Sequence, residues 1–234
     1  SEVIKDTAAT NADKQLYADL LMRSGQYTEA KQVLDKVTSL DAKGKVMLSS
    51  IDSISAWQED SANYRIERSN LNNGSESNFS PTYYKDGIMF VSDRGKLTAR
   101  NCYDWTGRPF LDLYFSKTEG GGKSASPDKV AGDMNGKYHE GPIAINSQGD
   151  TMYITRNNYI KKKVGKSEQD VVNLKIYQVY KKDTTWTGLK ELPFNSNDFS
   201  TGHPALTADG NTMYFASDRP GGQGGSDLYV SHKV

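Results

Sequence analysis

The sequence predicts an α+β multidomain chain, with helices over residues 1–60 followed by repeated small antiparallel sheets over residues 61–234. Composition changes near residue 60, from Gly-poor sequence to sequence dominated by Gly, Tyr, Ser and Asp. Before that point apolar residues recur at helical spacing; after it, short apolar runs alternate with turn signals. One unit of proline, turn and apolar strand then occurs three times, with Pro81, Pro142 and Pro204 standing 61 and 62 residues apart.

In the first part, Leu16, Leu20 and Leu21 share one helical face. Gly25 suits a helix C-terminus, where a left-handed residue is needed. Tyr27, Ala30, Val33, Leu34 and Val37 form a second apolar stripe. A third helix, about Lys43 to Trp57, carries Val46, Met47, Ile51, Ile54 and Trp57. The pattern A-x-x-L…G-x-Y-x-x-A is that of a tetratricopeptide (TPR) helix pair, with a generic helical cap on the β part as the alternative. Three helices are short for a free-standing solenoid, so this stretch is expected to lean on a further N-terminal portion or on the following domain.

Each later unit reads physically. Pro81, Pro142 and Pro204 are expected to start strands, where a missing N–H does no harm. Asp86-Gly87 and Asp209-Gly210 are expected to be tight hairpin turns in which glycine supplies the positive φ, with Gln148-Gly149 doing the same. Apolar strands follow: Ile88-Met89-Phe90-Val91, Met152-Tyr153-Ile154 and Met213-Tyr214-Phe215-Ala216. Then come Ser92-Asp93-Arg94, Thr155-Arg156 and Ser217-Asp218-Arg219. The second unit lacks the Asp. A second aromatic strand closes each unit. The segment Pro220–Gly225 is Gly-rich enough to be a loop shaped by close backbone approach.

Short strands with turn punctuation at a fixed long period indicate a β-propeller. The period exceeds the usual ~40–45 residues per blade. The excess sits in two insertions, about Gly95 to Pro109 and Asn157 to Asn173. About three blades are present where closure takes roughly four to eight. A partial propeller, and a longer parent chain, are expected.

The third unit carries a family resemblance. Gly202-His203-Pro204-Ala205-Leu206-Thr207-Ala208-Asp209-Gly210, then Tyr214-Phe215-Ala216-Ser217-Asp218-Arg219-Pro220-Gly221-Gly222 and Gly224-Gly225-Ser226-Asp227-Leu228-Tyr229-Val230-Ser231, resemble the WD40-like repeat of TolB-type propellers. The version is similar to that of OmpA-family envelope proteins of the Bacteroidetes. Those proteins run TPR repeats, a propeller, a small carboxypeptidase-regulatory-like domain and a C-terminal OmpA-like peptidoglycan-binding domain. A type IX secretion system component has this layout. The resemblance implies a periplasmic, outer-membrane-associated scaffold with other envelope proteins as partners. Peptidoglycan would be held by a domain not in this chain. The long insertions are not generic to the family and leave the partner open.

The bulk chemistry points the same way. With 29 basic and 29 acidic residues the formal net charge is zero, which makes no electrostatic case for nucleic acid or an anionic membrane. The run Lys161-Lys162-Lys163 reads as a solvated loop. No 18-residue apolar run and no charged-then-apolar start are present, so neither a membrane-spanning helix nor a signal peptide is expected here. The single Cys102 excludes an internal disulfide and any multi-cysteine metal site. Pro220–Gly225 lacks the Lys-Ser/Thr of a phosphate loop, and neither Gly-x-Ser-x-Gly nor His-Glu-x-x-His occurs. His139, His203 and His232 are isolated, and structural hydrogen bonds are expected of the first two. The Asp-rich turns lack the alternating carboxylates of an EF-hand loop. No catalytic, cofactor or metal residues are assigned.

The expected function is therefore a non-enzymatic interaction module. Its candidate contacts are the insertion aromatics Tyr103, Trp105, Phe110 and Tyr159, since aromatics dominate interface energetics. The competing reading is that these rings fold back over the sheet edge. Pro81, Gly87, Asp93, Arg94, Pro142, Gly149, Arg156, Pro204, Gly210, Asp218 and Arg219 are read as repeat-motif residues with structural work. A ligand-facing role for the Asp-Arg pairs is the alternative. Two other functions remain in play: a glycan- or peptide-binding module stacking on Trp105 and Trp186, and a propeller hydrolase.

Overall fold

The structure, a computed structural model, describes residues 9–72, 74–99, 101–160 and 163–233. The chain divides into two compact units, Ser1–Glu67 and Arg68–Val234. Lys161 and Lys162 of the basic run lie outside the described residues; Lys163 is exposed.

The first unit contains α1 (Asn11–Arg23), α2 (Tyr27–Leu34) and α3 (Ala42–Glu59), then a 3₁₀ turn at Asp60–Asn63. Thr10 caps α1: its hydroxyl accepts the Asp13 N–H, and the Asp13 carboxylate accepts the Thr10 N–H. Gly25 ends α1 at φ 77°, with its N–H on the Met22 carbonyl and the Gln26 N–H on the Leu21 carbonyl. That is a Schellman closure. The core is Ala18, Leu21, Ala30, Val33, Leu34, Met47 and Ile51.

The expected α1 face is corrected by one step of helix rotation. Leu21 is buried, but Leu16 and Leu20 are exposed, and Ala18 takes the inner position. Ala18 and Ala30 are both fully buried in one cluster, and small residues let helices approach closely. Likewise Val46 and Trp57 of α3 face out, while Met47 and Ile51 face in.

Among the described residues the second unit holds thirteen strands. The first sheet is β1 (Asn78–Tyr84), β2 (Gly87–Ser92), β3 (Asp112–Lys117) and β4 (Asp128–Lys129), hydrogen-bonded in that order. The second runs β5 (Glu140–Ile145), β6 (Thr151–Asn157), β9 (Leu174–Lys182) and β10 (Thr185–Glu191). A two-stranded ribbon, β7 (Tyr159–Ile160) and β8 (Lys163–Val164), occupies the second insertion. The third sheet has β11 (Thr201–Leu206), β12 (Thr212–Ser217) and β13 (Asp227–His232). All pairings within the sheets are antiparallel. The molecule is thus α+β, with a helical unit and an open rather than closed set of antiparallel sheets.

The register pairs Phe90↔Tyr114, Ile154↔Tyr177 and Phe215↔Tyr229 place the three sheets in correspondence. Leu113, Ile176 and Leu228 then hold one position. Leu113 is fully buried in a cluster with Met152, Ile154, Tyr177, Val179 and Trp186 of the second sheet. Ile176 is fully buried against Met213 and Phe215 of the third. Leu228 is 83% exposed. The first and second sheets each bury the rear face under the front of the next, and among the described residues the third sheet's rear is bare.

The prolines do not start strands. Each lies inside a first strand at a register shift, between Phe79 and Thr82, Glu140 and Ile143, and Gly202 and Ala205. The residue before each proline has positive φ: Ser80 at 53°, Gly141 at 92° and His203 at 56°. A bulge accommodates proline because the displaced residue need not donate to the ladder.

The turns also differ from expectation. In the first sheet Tyr84 pairs with Gly87, so the turn is Lys85-Asp86 and the positive φ (50°) falls on Lys85. Gly87 serves close approach instead: a Cβ there would stand 2.2 Å from the Ser116 carbonyl. Gly149 and Gly210 do take positive φ, both 71°, but in longer loops. The Asn146 side chain accepts the Thr151 N–H, and the Thr207 hydroxyl accepts the Thr212 N–H. These loops are the same structure built twice.

Candidate interaction site

The repeat-motif polar residues brace the sheets. Asp93 accepts the Ser77 N–H at 2.8 Å and Asp218 accepts the Ser200 N–H at 2.6 Å, fixing the entry to each first strand. The Arg94 guanidinium lies over Phe90 and Tyr114, donates from Nε to Ser92 Oγ, and donates from Nη2 to Asn78 and the Leu71 carbonyl. Arg219 repeats this over Phe215 and Tyr229, with Nε on Ser217 Oγ and Nη2 on the Phe194 carbonyl and Thr201.

Arg156 is not their counterpart along the strand. It pairs across from Lys175, as Ser92 pairs with Asp112 and Ser217 with Asp227. Its guanidinium nonetheless lies 5.7 Å from the Tyr177 ring centre, so the charge reaches the equivalent ring from a different position. Instead of a serine it meets Glu140, Nη2 to Oε1 at 3.3 Å, with both residues buried. Burial pushes the Glu140 carboxyl up to about 8, against the opposing pull of Arg156 and the Gly136 N–H.

The first insertion is held by Arg108. Its Nη2 reaches Asp93 Oδ1 at 2.8 Å and its Nε reaches Oδ2, a two-point clamp on a buried carboxylate. Although burial opposes it, this clamp and the Ser77 N–H hold the Asp93 carboxyl below its ordinary value. Tyr103 and Arg108 bridge across a tight turn, whose tip carries Trp105 at 87% exposed.

Three of the four expected contact residues come together, through two residues that the sequence did not single out for this role. Ring centres run Tyr103–His139 4.5 Å, His139–Phe110 4.9 Å, Phe110–Tyr138 5.3 Å and Tyr138–Tyr159 5.1 Å, mostly edge to face. Both insertions thus meet over the connection preceding β5. The rings are half-buried, partly folded back on the sheets and partly presented. Trp105 stands apart from this ladder. Trp186 is fully buried in the core, which removes it as a sugar-stacking residue. His139 Nδ1 accepts the Leu111 N–H, and burial holds its pKa below the ordinary histidine value. The other signal missed was Asn135 and Asn195, 60 residues apart. Asn135 bonds both backbone groups of Leu113, and Asn195 bonds both of Ile176. Their spacing matches the repeat period and gave the only available clue.

The Gly-rich loop closes on Asp227, whose carboxylate accepts the Gln223 and Gly224 N–H groups. A Cβ on Gly222 would stand 2.0 Å from that carboxylate. Among the described residues no cluster of three or more His, Cys, Asp or Glu is placed to hold a metal, and no helix is long and apolar enough to cross a membrane.

These features define an α+β protein whose sheets stand in an open set and whose long loops gather aromatic rings into one cluster. The chain matches no family model and no curated protein.

Proposed function

We propose that this chain is a non-enzymatic interaction scaffold of the bacterial envelope, the N-terminal portion of a Bacteroidetes OmpA-family periplasmic protein. On this reading residues 1–60 are TPR-like helices and residues 61–234 are about three WD40-like blades of an incomplete propeller. Its partners are other outer-membrane-associated proteins, in an assembly of the type IX secretion kind, and a downstream domain holds peptidoglycan. One observation carries the reading: two long insertions, otherwise unrelated, are braced so that Tyr103, Phe110, Tyr138 and Tyr159 share one surface, with Trp105 exposed at the tip of the Tyr103–Arg108 turn. Rigid aromatics presented together are what interface hot spots are made of.

The test is affinity capture from solubilised Bacteroidetes envelope, comparing wild type with Y103A/W105A. A discrete set of envelope proteins is expected with wild type, reduced at least about tenfold by the variant. Equal recovery with both removes the surface from consideration. The exposure of Trp105 also favours a second reading, glycan binding, which a glycan array with wild type and W105A decides. The hydrolase reading has less support, because both Asp93 oxygens are already engaged by Arg108 and Ser77.

A further inference from the structure

We infer that the cleft over Arg156 binds a carboxylate group, contributed by the partner that docks on the adjoining aromatic surface. This rests on the interaction-surface reading and names the chemistry at its inner edge. The cleft is a cavity of about 570 Å³ lined by Gly132, Gly136, Gly188, Tyr159, Ile160 and Arg156, among others.

The argument begins with a comparison inside the molecule. A guanidinium lies over the third-strand tyrosine in all three sheets. Arg94 and Arg219 each spend their Nε on a serine hydroxyl and make two further bonds from Nη2. Among the described residues Arg156 makes only two hydrogen bonds, at 3.3 Å to Glu140 and 3.4 Å to the Asp133 carbonyl. Both are longer than the ~2.7–2.9 Å of a good charge-assisted bond. Arg156 Nε and Glu140 Oε2 are buried and meet no hydrogen-bond partner among the described residues. Arg156 is 4% exposed, so this shortfall is not made up by bulk water.

Gly136 of the cleft wall packs directly against this group. A Cβ on Gly136 would stand 2.4 Å from Arg156 Nη2 and 3.0 Å from Glu140 Oε1. Any side chain there would overlap the guanidinium and force it to move. Three other charges among the described residues are engaged elsewhere: the Asp133 carboxylate holds the Thr187 hydroxyl and the Gly188 N–H, Lys175 holds Glu191, and Lys129 holds Asp112. A planar, singly charged, two-oxygen acceptor matches one guanidinium fork. A phosphate dianion would find one arginine beside an acid. Tyr159 lines the cleft and also ends the ring ladder, so a carboxylate seated here continues onto the aromatic surface.

Benzoate is the probe, with neutral benzamide as control, titrated into the whole chain while following the Arg156 Nε–H and Tyr159 ring resonances by NMR. Saturable, millimolar benzoate binding is expected, with no response to benzamide. At about pH 9, where the Glu140 carboxyl is ionised, E140Q, which removes the competing carboxylate, should bind about tenfold tighter. G136A, which places a methyl against the guanidinium, should lose binding, and it stands in should R156Q fail to fold. Equal response to benzoate and benzamide, no saturable response in wild type and E140Q, or unchanged binding by G136A overturns the inference. Y103A/W105A should retain benzoate binding, so loss of partner capture and loss of this site are read separately.

Discussion

Burial dominates Glu140: it raises the carboxyl from 4.5 to about 8, although Arg156 and the Gly136 N–H pull the other way. The folded-state value exceeds the unfolded one. Its contribution to stability is therefore fully present below about pH 4.5 and is lost as pH rises through about 8. E140Q stays neutral throughout. Thermal unfolding should show E140Q a few degrees more stable than wild type at about pH 9, with a flatter pH profile between. A parallel profile for the two proteins would show that the pair folds fully charged. Gly87 makes a second residue-scale case. G87A places a Cβ against the Ser116 carbonyl and should cost about 1–3 kcal/mol by denaturant titration. In the sequence Asp86-Gly87 reads as a turn, because the facing strand that makes the glycine necessary lies some thirty positions on.

At the scale of elements, the proline bulges and the Arg108 clamp set local geometry. Ser80 and His203 hold left-handed backbone that costs an L-residue about 1–2 kcal/mol. S80G and H203G should each stabilise by about 0.5–1 kcal/mol, less than the full relief because glycine also loosens the unfolded chain. A loss of stability in both would mean that their side chains matter more than the strain. Arg108 ties the first insertion to Asp93. R108Q leaves that buried carboxylate with the Ser77 N–H and should cost about 1–3 kcal/mol, with faster proteolysis between residues 95 and 107 as the readout. The repeated unit of turn and apolar strand was legible because its signals lie in neighbouring residues. The bulges were not. Proline's missing donor fits a strand start as well as a bulge, and only the partner's register separates the two.

Across the whole β unit, the third sheet leaves uncovered what the first two bury. Leu228 (83% exposed), with Tyr214 and Val230 at half exposure, continues the rear face that Leu113 and Phe115 fill in the first sheet. Such a face, beside the unpaired edge of β13, favours association. L228K/V230K should lower the concentration-dependent mass of the chain by light scattering while leaving its unfolding temperature within a few degrees. Unchanged association would place the contact elsewhere.

The sequence by itself determined the repeat. Pro81, Pro142 and Pro204 mark it, the aromatic strands follow at fixed distance, and the helical periodicity stops where the glycines begin. Those are local properties of turns and strand pattern, written in neighbouring residues. Only the tertiary structure decided that Trp186 is core, that Arg156 meets Glu140, and that Tyr138 and His139 join two insertions into one surface. Each of these depends on which residue lies opposite across a sheet or between sheets. A one-residue change of register reverses that choice without altering any local signal.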